Sequence, residues 1–90
     1  TLYVGADNQT GELNTAKICE IMTRYGYDFN MVVGEGSFGG KVEKCAILGV
    51  ITHRTSTEIA HLARQMAREM VQDSVLVVHS IVHTEFIKAY

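Results

Sequence analysis

Proline and tryptophan are missing from these 90 residues, and cysteine occurs only twice. Without proline, nothing along the chain resembles a linker, and no internal repeat is present. Cys19 and Cys45 fall inside an expected helix and an expected strand. No Cys–His spacing fits a zinc site, so they are expected as two buried thiols in a reducing compartment. Long apolar runs are also lacking. The longest, Cys45 to Ile51, is far short of the roughly 18–20 residues a membrane helix needs. Charge is nearly balanced, with 8 Lys and Arg against 10 Asp and Glu and a net charge of −2, which argues against a nucleic-acid-binding domain with a strongly basic face. No targeting leader is visible, and a cytoplasmic location is the expectation. At 47% hydrophobic and 20% charged, the composition is that of one folded domain over 1–90, near the lower limit for a self-sufficient core.

The apolar residues that are present fall into clear periods. Thr1 to Gly5 reads as a short strand followed by a polar turn. Ile18, Ile21, Met22 and Tyr25 form one helical stripe, with Asn14 as N-cap, Leu13 and Ile18 as a hydrophobic staple, and Gly26 where a helix-ending glycine belongs. Tyr27, Phe29, Met31 and Val33 alternate with Asp28 and Asn30 as a half-buried strand. Val42 to Thr52 reads as a second long strand. Thr55-Ser56-Thr57-Glu58 is a capping-box pattern introducing Ile59, Leu62, Ala63, Met66 and Met70 on one stripe, while Arg64, Arg68 and Glu69 fall off it and are expected in solvent. A last strand is expected from about Ser74 to Val82. The fold class is therefore α+β: a ferredoxin-like β-α-β-β-α-β order, with a four-stranded antiparallel sheet carrying two helices on one face. The strand from Cys45 and the last strand are apolar on both parities. Two helices cover only one sheet face, so the other is expected to be covered by another copy of the chain.

The concentrated functional signal is Gly34-Glu35-Gly36-Ser37-Phe38-Gly39-Gly40-Lys41, which holds four of the eight glycines and reads as a long, pliable hairpin loop. Glycine lets backbone N–H groups approach a ligand, and a lysine at the exit neutralises phosphate. The stretch matches the dinucleotide fingerprint in letters, but that fingerprint opens a helix and this one precedes a strand. A Walker A loop would need glycine where Glu35 stands and a hydroxyl where Val42 stands. Gly34, Gly36, Phe38 and Gly39 resemble the glycine-rich loop of protein kinases, yet His53-Arg54-Thr55 lacks the catalytic aspartate and no D-F-G occurs. What carries over is a hairpin whose amides can lie over phosphates.

The order of elements, with a second strand ending in Val32-Val33-Gly34-Glu35-Gly36, resembles the PII-type signalling proteins and their relatives. That resemblance implies a ferredoxin-like oligomer, a dimer or trimer, binding nucleotides between subunits beside the segment joining strands two and three. The segment is much shorter here, and the family's later basic motif has no counterpart. Small bacterial and phage proteins are similar in layout, and some viral proteins of this size sequester host signalling nucleotides.

Histidines do not suggest a metal. His79 and His83 share an expected strand face but stand roughly 13 Å apart along it. His61 falls on the outer side of the second helix, and His53 ends a strand. Asp7, Asn8 and Glu12 read as a turn. The expectation is a non-enzymatic oligomer, with no cofactor and no metal, that binds a phosphorylated small molecule or signalling nucleotide as a sensor or sequestering protein. Its ligand residues are Gly34, Glu35, Gly36, Ser37, Phe38, Gly39, Gly40, Lys41 and Arg54, with no nucleic acid and no membrane as partner. The alternatives are an interaction or structural oligomer using its apolar sheet face, and a small ferredoxin-like dimeric enzyme.

Overall fold

Asn14 decides where the first helix begins: its side chain accepts the Lys17 amide at 3.0 Å, satisfying one of the orphan donors of a helix start. A computed structural model describes residues 1–72, 75–80, 85 and 87–89, leaving aside the Phe38 side chain. Its elements are β1 (Leu2–Gly5), α1 (Thr15–Arg24), β2 (Asn30–Phe38), β3 (Lys41–Gly49), α2 (Ser56–Glu69) and β4 (Leu76–Val77). Helix α1 stops at Gly26, whose φ of +74° costs glycine nothing. There the Gly26 amide donates to Thr23 O and the Tyr27 amide to Met22 O, each at 3.0 Å, a Schellman closure. Thr55 caps α2 by accepting the Glu58 amide at 3.2 Å. Helix α2 closes in the same pattern, with Val71 N–H to Arg68 O and Gln72 N–H to Ala67 O. Here, however, the left-handed residue is Val71, at φ +55°.

The four strands form one antiparallel sheet in the order β2-β3-β1-β4. Leu2 lies opposite Leu48 and Val4 opposite Ala46. All four are buried in one cluster with Ile18, Ile21 and Met22 of α1, Ile59, Leu62, Ala63 and Met66 of α2, and Met70 at its C-cap. Both helices therefore cover the same sheet face, and each large buried side chain contributes roughly 1.5–3 kcal/mol. The expected stripes and both N-caps match this arrangement.

Four expectations need correction. Gly34 to Phe38 belong to β2, and the connection is the two-residue turn Gly39-Gly40, not a long loop. The first strand of that hairpin starts at Asn30, because Tyr27 and Phe29 pack against the core outside the ladder. Strand β3 ends at Gly49, not Thr52. Glu69 is not free in solvent: one Arg24 nitrogen donates to both of its oxygens, at 2.9 and 2.8 Å. The last strand is assigned only at Leu76 and Val77; Val78 still pairs with Thr1, donating its amide to Thr1 O at 2.8 Å and accepting from the Thr1 amino group at 3.0 Å, and 73, 74, 81 and 82 lie outside the described residues.

Candidate functional site

β1 pairs with β3 only as far as Gly5 opposite Cys45, with one further bond from the Ala6 amide to Lys44 O at 3.1 Å. Beyond it, among the described residues, β2 and β3 continue alone as a two-stranded ribbon, from Glu35 opposite Lys44 to Phe38 opposite Lys41. Gly39 and Gly40 have φ of +59° and +80°, the signature of a type I′ hairpin turn. A backbone anion nest needs adjacent residues of opposite hand, and these two share one hand. The strand residues before the turn spend part of their amides on the ladder to β3. Glu35, Ser37 and Lys41 are exposed along the ribbon.

Arg54 is not with them. By chain direction it lies at the other end of the sheet, where β2 starts and β3 finishes. Its guanidinium carbon sits 3.9 Å from the centre of the Tyr27 ring. Nη1 donates to Tyr25 O at 2.7 Å and Nη2 to Gly26 O at 3.0 Å. These are carbonyls at the negative end of α1, where a cation is favoured. Its backbone amide donates to the Thr52 hydroxyl at 3.1 Å, fixing the approach to α2.

Two clefts meet at Arg54. One, of about 480 Å³, is lined by Leu2, Thr52, Arg54, Ser56, Ile59 and His79 among others. The second, of about 380 Å³, is lined by Tyr25, Tyr27, Arg54, Thr57, Glu58, His61 and Leu62. The His61 ring meets Tyr25 edge-on with centres 6.0 Å apart. Ser56 begins α2, so the positive end of that helix borders the larger cleft.

The remaining candidates are accounted for locally. The Asp7 carboxylate accepts the Gln9 and Thr10 amides at 2.7 and 3.1 Å, closing its own turn. Cys45 is buried, and burial first and then Glu43 push its thiol upward, which leaves it unreactive. His53 and His79 are exposed outside any strand, and His83 lies outside the described residues. Among the described residues, no three His, Cys, Asp or Glu side chains come together as a metal site. None of the described helices is long and apolar enough to cross a membrane.

Two groupings escaped the sequence reading. Arg24 bonds Glu20 at 2.8 Å as well as Glu69, and Lys17 stands 3.9 Å from Glu20 and 3.8 Å from Glu69, so the helices are tied by ions. The Arg24 hydrogen bond, with Lys17 nearby, lowers the Glu20 carboxyl below its ordinary value, and the hydrogen bonds to Glu69 first and then Glu20 raise the Arg24 guanidinium. The i,i+4 spacing of Glu20 and Arg24 is a legible signal. The Tyr25–Tyr27–His61 grouping has none, because it depends on where α2 returns.

The sheet face opposite the helices, uncovered among the described residues, carries a continuous apolar row. Val32 lies opposite Ile47, Ile47 opposite Tyr3, and Tyr3 opposite Leu76. Val32 is 60% exposed and Leu76 53%. No known family model, curated protein or solved structure matches the chain.

Proposed function

We propose that this chain is a non-enzymatic homo-oligomer that binds a phosphorylated small molecule or signalling nucleotide at Arg54, as a sensor or sequestering protein. The observation that carries the reading is the junction of two clefts on one fixed guanidinium. Two hydrogen bonds use only part of a five-donor fork, leaving donors for phosphate oxygens. The larger cleft adds the hydroxyls of Thr52 and Ser56 and the positive end of α2. The smaller adds Tyr25 and His61, whose rings offer an apolar wall to a base or sugar. On this reading the ribbon glycines serve strand pairing, and the ligand site comes from Arg54 rather than from Gly34 to Lys41.

The fold that accompanies it is ferredoxin-like: read from the β4 edge, the strand order is 4-1-3-2, and both helices lie on one face. The likeness to PII-type proteins rests on that layout. Oligomerisation is supported by the row Val32–Ile47–Tyr3–Leu76. Val78, 47% exposed, lines the larger cleft, so a second copy on this face would border the ligand. The same row favours the second reading, a structural or interaction oligomer with no small ligand.

Calorimetric titration with a nucleoside monophosphate, its nucleoside and inorganic phosphate tests the proposal. Binding that needs the phosphate, and that falls about tenfold or more in Arg54→Gln at unchanged fold, supports it. Absence of binding up to about 1 mM for all three leaves the structural oligomer as the reading.

A further inference from the structure

The edge of the sheet formed by β2 differs from the opposite edge. β2 is nine residues long, Asn30–Phe38, whereas β4 is described over two. An open edge offers unpaired N–H and C=O groups, and proteins that must stay single protect it with proline, lysine, a bulge or a cover. β2 has none of the first two, and its only charged residue is Glu35. Its register with β3 runs without a break from Asn30 to Phe38, so no bulge turns it away. It exposes apolar side chains on both faces, Val32 at 60% and Val33 at 51%.

Glycine adds an independent observation. Gly34 sits in the middle of this strand, where glycine weakens pairing. Its φ is not in the left-handed region, and a Cβ built there would meet nothing within 4 Å. Among the described residues, nothing requires a missing side chain at 34. A glycine inside a strand also marks a place where another backbone comes close.

We infer that β2 pairs antiparallel with β2 of a second copy, about a two-fold axis at Gly34, making a continuous eight-stranded sheet. A second copy is the occupant because the edge is self-complementary. Pairing all nine residues sets Gly34 opposite Gly34 and Val33 opposite Glu35 of the other copy. Each Glu35 already faces Lys44 across its own hairpin, so the two edges meet without an unbalanced charge. The two-fold keeps each face on its own side, so Val32 lies opposite Gly36 of the other copy and the two apolar rows share one face of the joined sheet, offset along the strands. The inference stands with or without a ligand at Arg54.

The test is disulfide trapping combined with mass measurement. Gly34→Cys is made with Cys19→Ser and Cys45→Ala, since Cys45 lies opposite Gly34 within the chain. Directly opposed residues in the proposed pairing fall within disulfide range. Mild oxidation should give a covalent dimer, and light scattering of the unaltered chain should give twice its 10.0 kDa mass. Val33→Lys, an exposed edge change, should return the chain to a folded monomer. Leu76→Cys in the same background probes face-to-face stacking instead. Cross-linking at 76 without cross-linking at 34 would overturn the edge pairing while leaving an oligomer. A stable monomer of the unaltered chain would overturn both.

Discussion

The two ends of this sheet are finished differently. At the Arg54 end, α1 closes on Gly26 in the left-handed region, Arg54 takes up two terminal carbonyls, and Thr55 caps the next helix. At the ribbon end, α2 closes with the same two hydrogen bonds but on Val71, a β-branched residue at φ +55°. Beyond it, among the described residues, the β2–β3 ribbon has no third strand and no helix against it, and Val42 is 66% exposed. Polar and charged groups converge at the first end, whereas at the second Glu35, Ser37, Lys41 and Lys44 are spread along two paired strands beside exposed apolar side chains. On the proposed reading the first end takes a small ligand and the second takes strand pairing.

The contrast breaks if the first end tolerates change. Tyr27 is 7% exposed beneath the Arg54 guanidinium. Tyr27→Ala is expected to cost about 3 kcal/mol in denaturant unfolding, the largest effect proposed here. Arg54→Ala loses two charge-assisted bonds and the ring contact, and is expected to cost about 1–2 kcal/mol. Arg54→Lys should recover little of this, since an ammonium cannot span both carbonyls in the plane of a fork.

At the ribbon end the sign reverses. Val71→Gly relieves a left-handed β-branched residue and should stabilise the chain by about 1 kcal/mol, read as a rise in thermal midpoint. Gly36→Val, in the exposed ribbon, should change monomer stability by no more than about 1 kcal/mol. A larger loss would mean that the ribbon is packed against something within the chain. The smallest effect concerns Glu20, whose carboxyl is held below its ordinary value of 4.5. A depressed folded value adds stability above pH 4.5 that is lost as pH falls through the folded value. Because the group is fully exposed, Glu20→Gln should only slightly flatten the acid limb of a stability–pH curve, and salt should erase the difference.

Much of the fold was legible because local signals agreed with tertiary packing. Asn14 and Thr55 marked both helix starts, Gly26 marked one end, and the Ile18 and Ile59 stripes marked the buried faces. The end of α2 was not legible, because valine carries no left-handed signal. The glycine-rich stretch misled for a related reason. Glycine is common in turns, yet only Gly39 and Gly40 have the positive φ that a turn requires, and Gly34 and Gly36 are strand residues. Arg54 was named from its charge alone. Its partners Tyr25, Gly26 and Tyr27 stand 29, 28 and 27 positions earlier (54 − 25, 54 − 26, 54 − 27), and only the folded sheet brings them together.

The most direct measurement is backbone amide NMR of the isotopically labelled chain during titration with a nucleoside monophosphate. The account predicts saturable shift changes at Thr52 to Glu58 and at Tyr25 to Tyr27, with Gly34 to Lys41 unmoved. Changes confined to Gly34 to Lys41 would return the ligand to the glycine hairpin and contradict the division of roles between the two ends.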